Sequence, residues 1–312
     1  MRVDHFPRNV QLEKHGVVTI GVFDGIHLGH RSILDRVLDR SSVITGLSTL
    51  VTFNPHPREI VSGDIVPLLT TLNERIELIR QTGLDRVVVI PFDDEFARLS
   101  PDQFVRDVLC ERIGMRELVI GYDHGFGKGR RGDIALLRTL AEDLGFSVIE
   151  LSARMTDHTP ISSSAIRQML HIDGDVEGAA LLLGRRYSVS GEVVKGDGRG
   201  HLIGFPTANI SLGNRRKLVP QRGVYAVKVI IADSATPFDG MMNIGFRPTF
   251  DGAGMRLEVH VFDMDRTLYG QSLQVEFVER IRDERKFDGM EALKEQLKED
   301  ELRCRRALTS VS

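Results

Sequence analysis

The chain has 312 residues, of which 41% are hydrophobic and 27% charged, values that are ordinary for a globular protein and unlike those of a disordered or collagen-like chain. Its formal net charge of -3 gives no field strong enough to indicate nucleic acid or an anionic membrane as the main partner. The length predicts two domains, each with its own core.

The two cysteines, Cys110 and Cys304, lie far apart, each in an amphipathic helix-like segment. This usage predicts neither a disulfide framework nor a zinc cluster. The first residues lack a basic leader followed by an apolar run, and nowhere is there a stretch of about 18 apolar residues of the kind that spans a membrane. We therefore expect a cytoplasmic protein that acts on small molecules, with no nucleic-acid or membrane partner and with its oligomeric state left open.

In the first half of the chain, short β-branched runs alternate with helical patterns. Strands are predicted at 17–20, 48–53, 85–92, 117–122 and 146–152, and helices at 31–40, 73–81, 102–113 and 133–144. Apolar strands separated by helices usually form a parallel sheet covered on both faces. We therefore predict a doubly wound α/β fold of the Rossmann-like kind, with ligands at the carboxyl ends of the strands.

The pattern changes near residue 184, where strands follow one another between Gly, Pro and Asp turns. They are predicted at 187–194, 224–232, 240–246, 256–263 and 272–279, and one amphipathic helix follows at 290–308. This order predicts a small β-barrel or sandwich capped by a helix. The predicted domains are therefore 1–183 and 184–312, which differ in fold and are not a duplication.

The stretch GVFDGIHLGH, residues 21–30, lies where the first strand gives way to a helix. Unpaired backbone N–H groups and the helix dipole attract phosphate at such a point, and glycines allow close approach. His27 and His30 could donate hydrogen bonds to a polyphosphate there and stabilise charge that develops at phosphorus. The alternative is that Gly25 and Gly29 only form a turn and that the histidines are surface residues.

The HLGH element, residues 27–30, is similar to the signature of the nucleotidyltransferase superfamily that includes class I aminoacyl-tRNA synthetases and small adenylyltransferases. ISSSAIR, residues 161–167, resembles the second signature of that superfamily, whose hydroxyls and arginine hold the triphosphate of ATP. Ser164 replaces the usual Thr and keeps the hydroxyl. Locally, Ser162 or Ser163 could equally be a helix N-cap, which is compatible with phosphate binding.

Two further elements, TFNPHPRE at 52–59 and GYDHGFGKGRRGD at 121–133, each follow a predicted strand. Singly, they would indicate a Pro-fixed turn and a mobile loop. The order of the four elements resembles the adenylyltransferase module of the bacterial bifunctional riboflavin kinase and FMN adenylyltransferase (FAD synthetase) family, although His124 and Gly125 stand where that family often begins with Phe. The resemblance implies that His27 and His30 are catalytic. It also implies that ATP and phosphate contact Gly21, Phe23, Asp24, Gly29, Asn54, Asp123, Ser162, Ser163, Ser164 and Arg167.

In the second half, GDGRG at 196–200 and GFPTANI at 204–210 lack the GxxxxGK[ST] spacing of a Walker A loop. Alone, they indicate a flexible loop and a Pro turn that enters a strand. GFPTAN is similar to the PTAN element of riboflavin kinases, which implies that Thr207 and Asn209 coordinate Mg²⁺ on the phosphates of ATP. The match continues through VPQRGVYAV, NIGFRPTF, LEVHVFD, LYG and IRDERKF, with His201 where Arg is frequent.

Glu258 occupies the position of the general base of that family, which would take a proton from the terminal ribityl hydroxyl. Without the resemblance, Glu258 would be read as a strand residue facing water, since it shares a face with His260 while Leu257 and Val259 share the other. The resemblance also implies flavin or ATP contacts by Gly196, Gly200, Phe205, Pro206, Arg282 and Phe287.

The resulting hypothesis is one polypeptide that phosphorylates riboflavin to FMN in its second half and adenylylates FMN to FAD in its first. Both reactions would use ATP with Mg²⁺. One alternative is an enzyme in which only one half works. Another is a flavin-sensing regulator that transfers nothing and binds RNA through Arg-rich surfaces, against which stands an aromatic content of only 6%.

Overall fold

The structure is a computed structural model that describes residues 1–7, 15–121, 132–152, 154–156, 159–196, 200, 204–234, 236–249 and 252–309. By its internal contacts the chain divides into two compact units, residues 1–163 and 164–312. No helix in the described ranges is both long and apolar enough to cross a membrane.

The first unit consists of a parallel sheet with helices between its strands. Its described strands are β1 (Arg2–His5), β2 (Gly16–Ile20), β3 (Ser48–Asn54), β4 (Arg86–Pro91), β5 (Met115–Gly121), β6 (Ser147–Leu151), β7 (Met155–Thr156) and β8 (Thr159–Pro160). Its described helices are α1 (Leu28–Ile44), α2 (Pro57–Val61), α3 (Leu72–Arg80), α4 (Asp94–Ala97), α5 (Pro101–Gln103), which runs into the π-helix π1 (Phe104–Ile113), and α6 (Ile134–Leu144).

The sheet has the order β1-β4-β3-β2-β5-β6, and every pairing in it is parallel. This confirms the predicted doubly wound fold. Strand β1 has no counterpart among the predicted strands; it is short and carries the acidic residue Asp4. That carboxylate is buried because Arg86 of the neighbouring β4 donates to it over 2.7 Å.

The core lies on both faces of this sheet, as the all-apolar strands predicted. In β2, Val17 packs with Leu34 and Val37 of α1, whereas Val18 packs with π1 on the other face. This alternation follows from the two-residue period of a strand. Because helices cover both faces of the sheet, ligands of such folds bind at the carboxyl ends of the strands.

The second unit begins with helical segments and continues as a barrel. Its described helices are α7 (Ser163–Gln168), which starts at the last residue of the first unit, the π-helix π2 (Met169–Asp173), α8 (Val176–Leu183) and the terminal α9 (Met290–Thr309). Its described strands are β9 (Ser188–Val194), β10 (Ala208–Leu212), β11 (Gly223–Ile231), β12 (Phe238–Thr249), β13 (Gly252–Val261) and β14 (Ser272–Arg282).

These strands form a closed antiparallel barrel of order β10-β13-β12-β11-β14-β9, which confirms the predicted barrel with a terminal helix. Side chains alternate between its inside and outside. In β11, Val224 and Ala226 pack against α9, so Tyr225 points into the barrel, where its ring meets Phe277 at 5.2 Å.

The segment 164–183 belongs by its contacts to the barrel unit. Leu170 accepts a hydrogen bond from the backbone N–H of Gln221 over 2.8 Å, and His171 Nδ1 lies 3.4 Å from the carbonyl oxygen of Val219. The boundary predicted at 183/184 rests on the change of strand pattern and stays a prediction about the functional domains.

Candidate active sites

The parallel sheet has a topological switch point beside β2. From β2 the chain proceeds through β3 and β4 on one side, and it then returns to place β5 and β6 on the other side. In sheets of this kind a crevice forms beyond the carboxyl ends of the strands that flank the switch point. That crevice would be bordered by the loop after β2, which contains the two predicted catalytic histidines.

His27 and His30 lie together at the start of α1. The His27 ring caps the helix, since its Nδ1 accepts from the backbone N–H of His30 over 3.2 Å. The two imidazole rings stack with centroids 3.6 Å apart, and Phe23 packs on the far side of His30 at 4.6 Å. The structure therefore brings both histidines to the amino end of a 17-residue helix, where its dipole favours anions.

The space for a side chain at the glycines around this stack is tight. A Cβ on Gly29 would lie 3.2 Å from the His27 ring, and a Cβ on Gly21 would lie 3.1 Å from the Phe23 ring. The backbone between them is strained, because Phe23 and Ile26 have φ angles of 54° and 41°. Such conformations cost about 1–3 kcal/mol each in non-glycine residues and persist only where the surroundings hold them.

Asp24 is buried and its carboxylate accepts hydrogen bonds from within the protein. Its Oδ2 accepts from the backbone N–H of Leu69 over 2.9 Å, and its Oδ1 accepts from the N–H and hydroxyl of Thr70 over 2.8 and 3.0 Å. Its carbonyl oxygen accepts from the Ser163 hydroxyl over 2.9 Å. Two of the predicted elements, GVFDG and ISSSAIR, are therefore brought together directly.

Of the other residues predicted for this site, all but Asp123 lie within the described ranges. Asn54 is the exposed last residue of β3, which borders β2. Ser162 is half-buried just before α7, and Ser164 and Arg167 follow within that helix. Asp123, with the neighbouring His124 and Gly125, lies outside the described residues.

On the barrel, three polar side chains form a row across neighbouring strands. The register pairs Glu258 of β13 with Asn209 of β10 on one side and with Asn243 of β12 on the other. Directly paired residues share a face, and the buried Leu257 and Val259 show that this is the outer face. Glu258 thus stands between two amides on the outside of the barrel, its carboxylate 3.2 Å from Arg256 Nη1. The alternation proposed from sequence is confirmed.

Two glycines make room beside this row. A Cβ on Gly196 would collide with the amide of Asn209, and a Cβ on Gly200 would lie against the Phe205 carbonyl oxygen and 3.3 Å from the hydroxyl of Thr207. The backbone N–H of Phe205 donates to the carbonyl oxygen of Gly200 over 2.9 Å. The GDGRG and GFPTAN elements are therefore adjacent. Residues 197–199 and 201–203, including His201, lie outside the described residues.

A cavity of about 170 Å³ opens next to the PTAN element. Its walls combine apolar strand residues with the loop after β13, and they include Val193, Pro206, Thr207, Ala208, Val259, Val261, Arg266 and Tyr269. His260 supports the turn that borders it, since its Nδ1 lies 2.7 Å from the carbonyl oxygen of Pro206 and its ring meets Phe205 edge-on at 5.4 Å. The cavity is thus partly apolar, and Thr207 contributes a hydroxyl group to its lining.

Arg282 and Phe287 lie at the end of β14 and in the segment that follows it. The guanidinium of Arg282 is engaged with the buried Asp300 of α9, with Nη2 2.7 Å from Oδ2. Phe287 lies under Arg282 and Arg285, at 5.6 and 4.8 Å from ring centroid to guanidinium carbon. The same segment brings Glu284 against Gly245, beside Asn243.

Sequence reasoning did not single out Asn243 or Thr70. Asn243 begins the NIGFRPTF element, but its place beside Glu258 follows only from pairing β12 with β13 in the correct register, which a single sequence does not specify. Thr70 precedes a recognisable capping box, Thr71 with Glu74, but its contact with Asp24 spans 46 positions. For neither residue does the local sequence pattern indicate the distant residue beside which it lies, Glu258 for Asn243 and Asp24 for Thr70.

Comparisons with known proteins agree with both units. The family model described as FAD synthetase matches residues 10–165, and the model described as riboflavin kinase matches residues 183–308. The bifunctional riboflavin kinase/FMN adenylyltransferase of Escherichia coli K12 is 39% identical over 93% of this chain and 91% of its own. The protein of that name from Bacillus subtilis 168 is 38% identical over 91% of this chain and 90% of its own.

A solved structure covers the whole architecture. The crystal structure described as that of a macrolide-efflux protein from Streptococcus pneumoniae superimposes with a TM-score of 0.88 at 30% sequence identity. It covers 98% of this chain and 99% of that chain. With both family models matched and curated relatives similar along nearly their full length, the chain belongs to the family of bifunctional riboflavin kinases and FMN adenylyltransferases.

Proposed function

We propose that this chain phosphorylates riboflavin to FMN on the barrel and adenylylates FMN to FAD at the edge of the parallel sheet, with ATP as co-substrate of both steps. The observation that carries the proposal is that each unit assembles the groups that its own reaction needs. The first unit has two stacked imidazoles at a helix amino end. The second has a carboxylate between two amides, and one of these, Asn209, directly follows the cavity-lining residues 206–208.

In the adenylylation step, an oxygen of the FMN phosphate attacks the α-phosphorus of ATP in line, and the bond to pyrophosphate breaks. His27 and His30, with the first backbone N–H groups of α1, stabilise the charge that builds up on the phosphate oxygens. Gly21 and Gly29 allow the close approach of the phosphates. No covalent intermediate with the protein is needed, since the residues hold two anions in line and neutralise them.

The remaining residues of this site complete the binding of ATP. We assign Ser162, Ser164 and Arg167 to the triphosphate, because the segment that carries them begins beside the catalytic loop at Ser163. We assign Asn54 and Asp123 to the same nucleotide, because Asn54 ends β3 and Asp123 comes two residues after β5 in the sequence, and both strands border β2. Phe23 holds the ring of His30 in place.

In the kinase step, Glu258 takes the proton from the terminal ribityl hydroxyl as that oxygen attacks the γ-phosphorus, and ADP leaves. The flanking amides of Asn209 and Asn243 orient the reacting groups. We assign the cavity beside Thr207, with Phe205 and Pro206 near its mouth, to the nucleotide, and Gly196 and Gly200 to the loop that approaches the phosphates. Arg282 and Phe287 are assigned to the flavin side.

The residues present fit a magnesium ion at this site. The Thr207 hydroxyl and the Asn209 amide are hard oxygen ligands two residues apart at the start of β10, and the Glu258 carboxylate is paired with Asn209. When bound, the ion would neutralise charge on the phosphates of ATP. We assign Thr207 and Asn209 as its protein ligands.

We further propose that the functional domains are residues 1–183 and 184–312 and that the enzyme works in the cytoplasm. Both reactions consume ATP, and the two cysteines are free thiols. Riboflavin, FMN and ATP are the proposed partners, and no nucleic acid or membrane is among them.

The experiment is to incubate the purified protein with riboflavin, ATP and Mg²⁺ and to separate the flavins by chromatography over time. We expect FMN to appear first and FAD to follow. FMN without FAD would contradict the adenylyltransferase assignment, and FAD made only from added FMN would contradict the kinase assignment. A protein that binds flavin but consumes no ATP would contradict both.

A further inference from the structure

The loop that leads to the catalytic histidines is held by a buried hydroxyl. Thr70 Oγ1 donates to Asp24 Oδ1 over 3.0 Å and accepts from the backbone N–H of Gly25 over 3.0 Å. Its own backbone N–H donates to the same carboxylate oxygen. Thr70 is only 3% exposed, so water cannot readily replace these bonds.

A second route leads from the same segment to the same loop. Arg75, 2% exposed, has its Nη2 3.5 Å from the carbonyl oxygen of Thr70 and donates from Nη1 to Thr52 Oγ1 over 3.2 Å. Thr52 Oγ1 in turn donates to the carbonyl oxygen of Val22 over 2.9 Å. The loop is therefore tied to neighbouring segments at three of its residues, namely Val22, Asp24 and Gly25.

These ties surround the strained part of the backbone. Phe23, Gly25 and Ile26 all have φ angles in the left-handed region, and Ile26 directly precedes His27. A β-branched residue such as Ile26 stays in that region only where its surroundings leave no alternative. The bonds to Thr70 restrain this turn from outside, at Asp24 and Gly25, three and two residues before His27.

We propose that Thr70 is a positioning residue for adenylyl transfer, which holds Asp24 and Gly25 so that His27 and His30 face the reacting phosphates. This inference rests on the function proposed for the first unit. Thr70 would act through the loop and would not touch either substrate. Asp24 would share this role, its carboxylate serving the loop rather than ATP.

The test compares Thr70→Val with Thr70→Ser in the full-length protein. Valine keeps the volume of threonine but removes both side-chain hydrogen bonds, so we expect kcat for FAD formation from FMN to fall by about tenfold or more. The KM for ATP should change much less, since the variant displaces groups that act in the transition state. Serine retains the hydroxyl, and we expect Thr70→Ser to recover most of the lost kcat.

Riboflavin kinase activity of the same preparation provides an internal measure of protein amount, because its residues lie in the other unit, and the thermal unfolding of each variant measures folding of the first unit. Thr139→Val, an exposed position on α6 whose hydroxyl bonds only to its own helix, is the matched control and should leave both activities unchanged. Wild-type kcat in Thr70→Val, an equally large loss in Thr70→Ser, or a parallel loss of kinase activity would overturn the proposal. Absence of FAD formation by the wild-type protein would instead overturn the proposed function.

Discussion

Arg282 and Asp300 form a forked ion pair that joins the last barrel strand to the terminal helix. Arg282 Nε and Nη2 lie 2.9 and 2.7 Å from the two carboxylate oxygens, and Gln296 donates to the same carboxylate over 2.8 Å. Asp300 is fully buried. The pair therefore holds α9 against the barrel and fixes the start of the segment that carries Phe287.

Replacing Asp300 by alanine should destabilise the barrel unit by about 3 kcal/mol, because it leaves the largely buried Arg282 without its charge partner. The free energy of unfolding of the barrel unit can be measured by titration with urea, with loss of riboflavin kinase activity as the signal. The matched control is Asp233→Ala, which breaks a forked pair with Arg266 whose side chains are both exposed to solvent. An equal loss of unfolding free energy in the two variants would show that burial of Asp300 does not account for the destabilisation.

Gly196→Ala should lower kinase activity sharply, since the new methyl group would collide with the amide of Asn209. The displaced amide is a proposed magnesium ligand, so we expect the Mg²⁺ concentration needed for half-maximal rate to rise. Gly213→Ala is the matched control, because nothing lies near a Cβ at that position and its φ is not in the left-handed region. A Mg²⁺ titration in which both variants match the wild type would contradict the placement of Asn209.

Glu258→Gln should reduce the kinase kcat by about 10²–10⁴-fold, the contribution typical of a general base, while FAD formation from added FMN continues. Glutamine preserves the size of the side chain and its place between Asn209 and Asn243. Glu192→Gln, an exposed glutamate on β9, should leave the kinase rate unchanged. A wild-type kinase rate in Glu258→Gln would show that Glu258 is not the general base and would favour the alternative that it is a strand residue facing solvent.

The fold could be predicted from local pattern because both sheets follow simple periodicities. The apolar run Val17 to Ile20 is buried along its whole length, as a parallel strand covered on both faces requires. The regular alternation around Glu258 likewise identified the two faces of β13. By contrast, β1 was missed because its four residues show no apolar run and its pairing depends on Asp4 and Arg86, which are 82 positions apart.

The sites were predictable only where a motif is contiguous. His27 and His30 could be found because a single helical turn places them side by side. Thr70 and Asn243 could not, because what brings them to the sites is the packing of distant segments. For Asp24 and Arg282 the sequence motif does not indicate the protein partners, Thr70 and Asp300, that the three-dimensional structure reveals.

Burial raises the pKa of the Cys110 thiol to about 11 and that of Cys304 to about 12. Because the thiolate is the reactive form, alkylation of the folded protein by iodoacetamide should be slow at pH 8 and should accelerate about tenfold per pH unit up to pH 10. Mass spectrometry of the intact protein measures the modified fraction. In urea the same thiols should react fast, with a rate that levels off above about pH 9. A folded protein whose rate levels off at that same pH would contradict the raised pKa values.

Alanine at His27 or His30 should lower kcat for FAD formation by about 10²–10³-fold, the loss typical when a preorganised donor to a developing charge is removed. The His27 variant also removes the cap on the His30 N–H, so it should lower the thermal stability of the first unit, whereas the His30 variant should do so less. His5→Ala, an exposed position on β1, is the matched control for both. Because Glu258 and Asn209 belong to the other unit, riboflavin kinase turnover should stay close to wild type in all three variants. Chromatography of reactions started from riboflavin should then show FMN accumulating without FAD in the His27 and His30 variants, whereas His5→Ala should still form FAD. An equal loss of kinase and adenylyltransferase activity in a histidine variant would refute two separate sites.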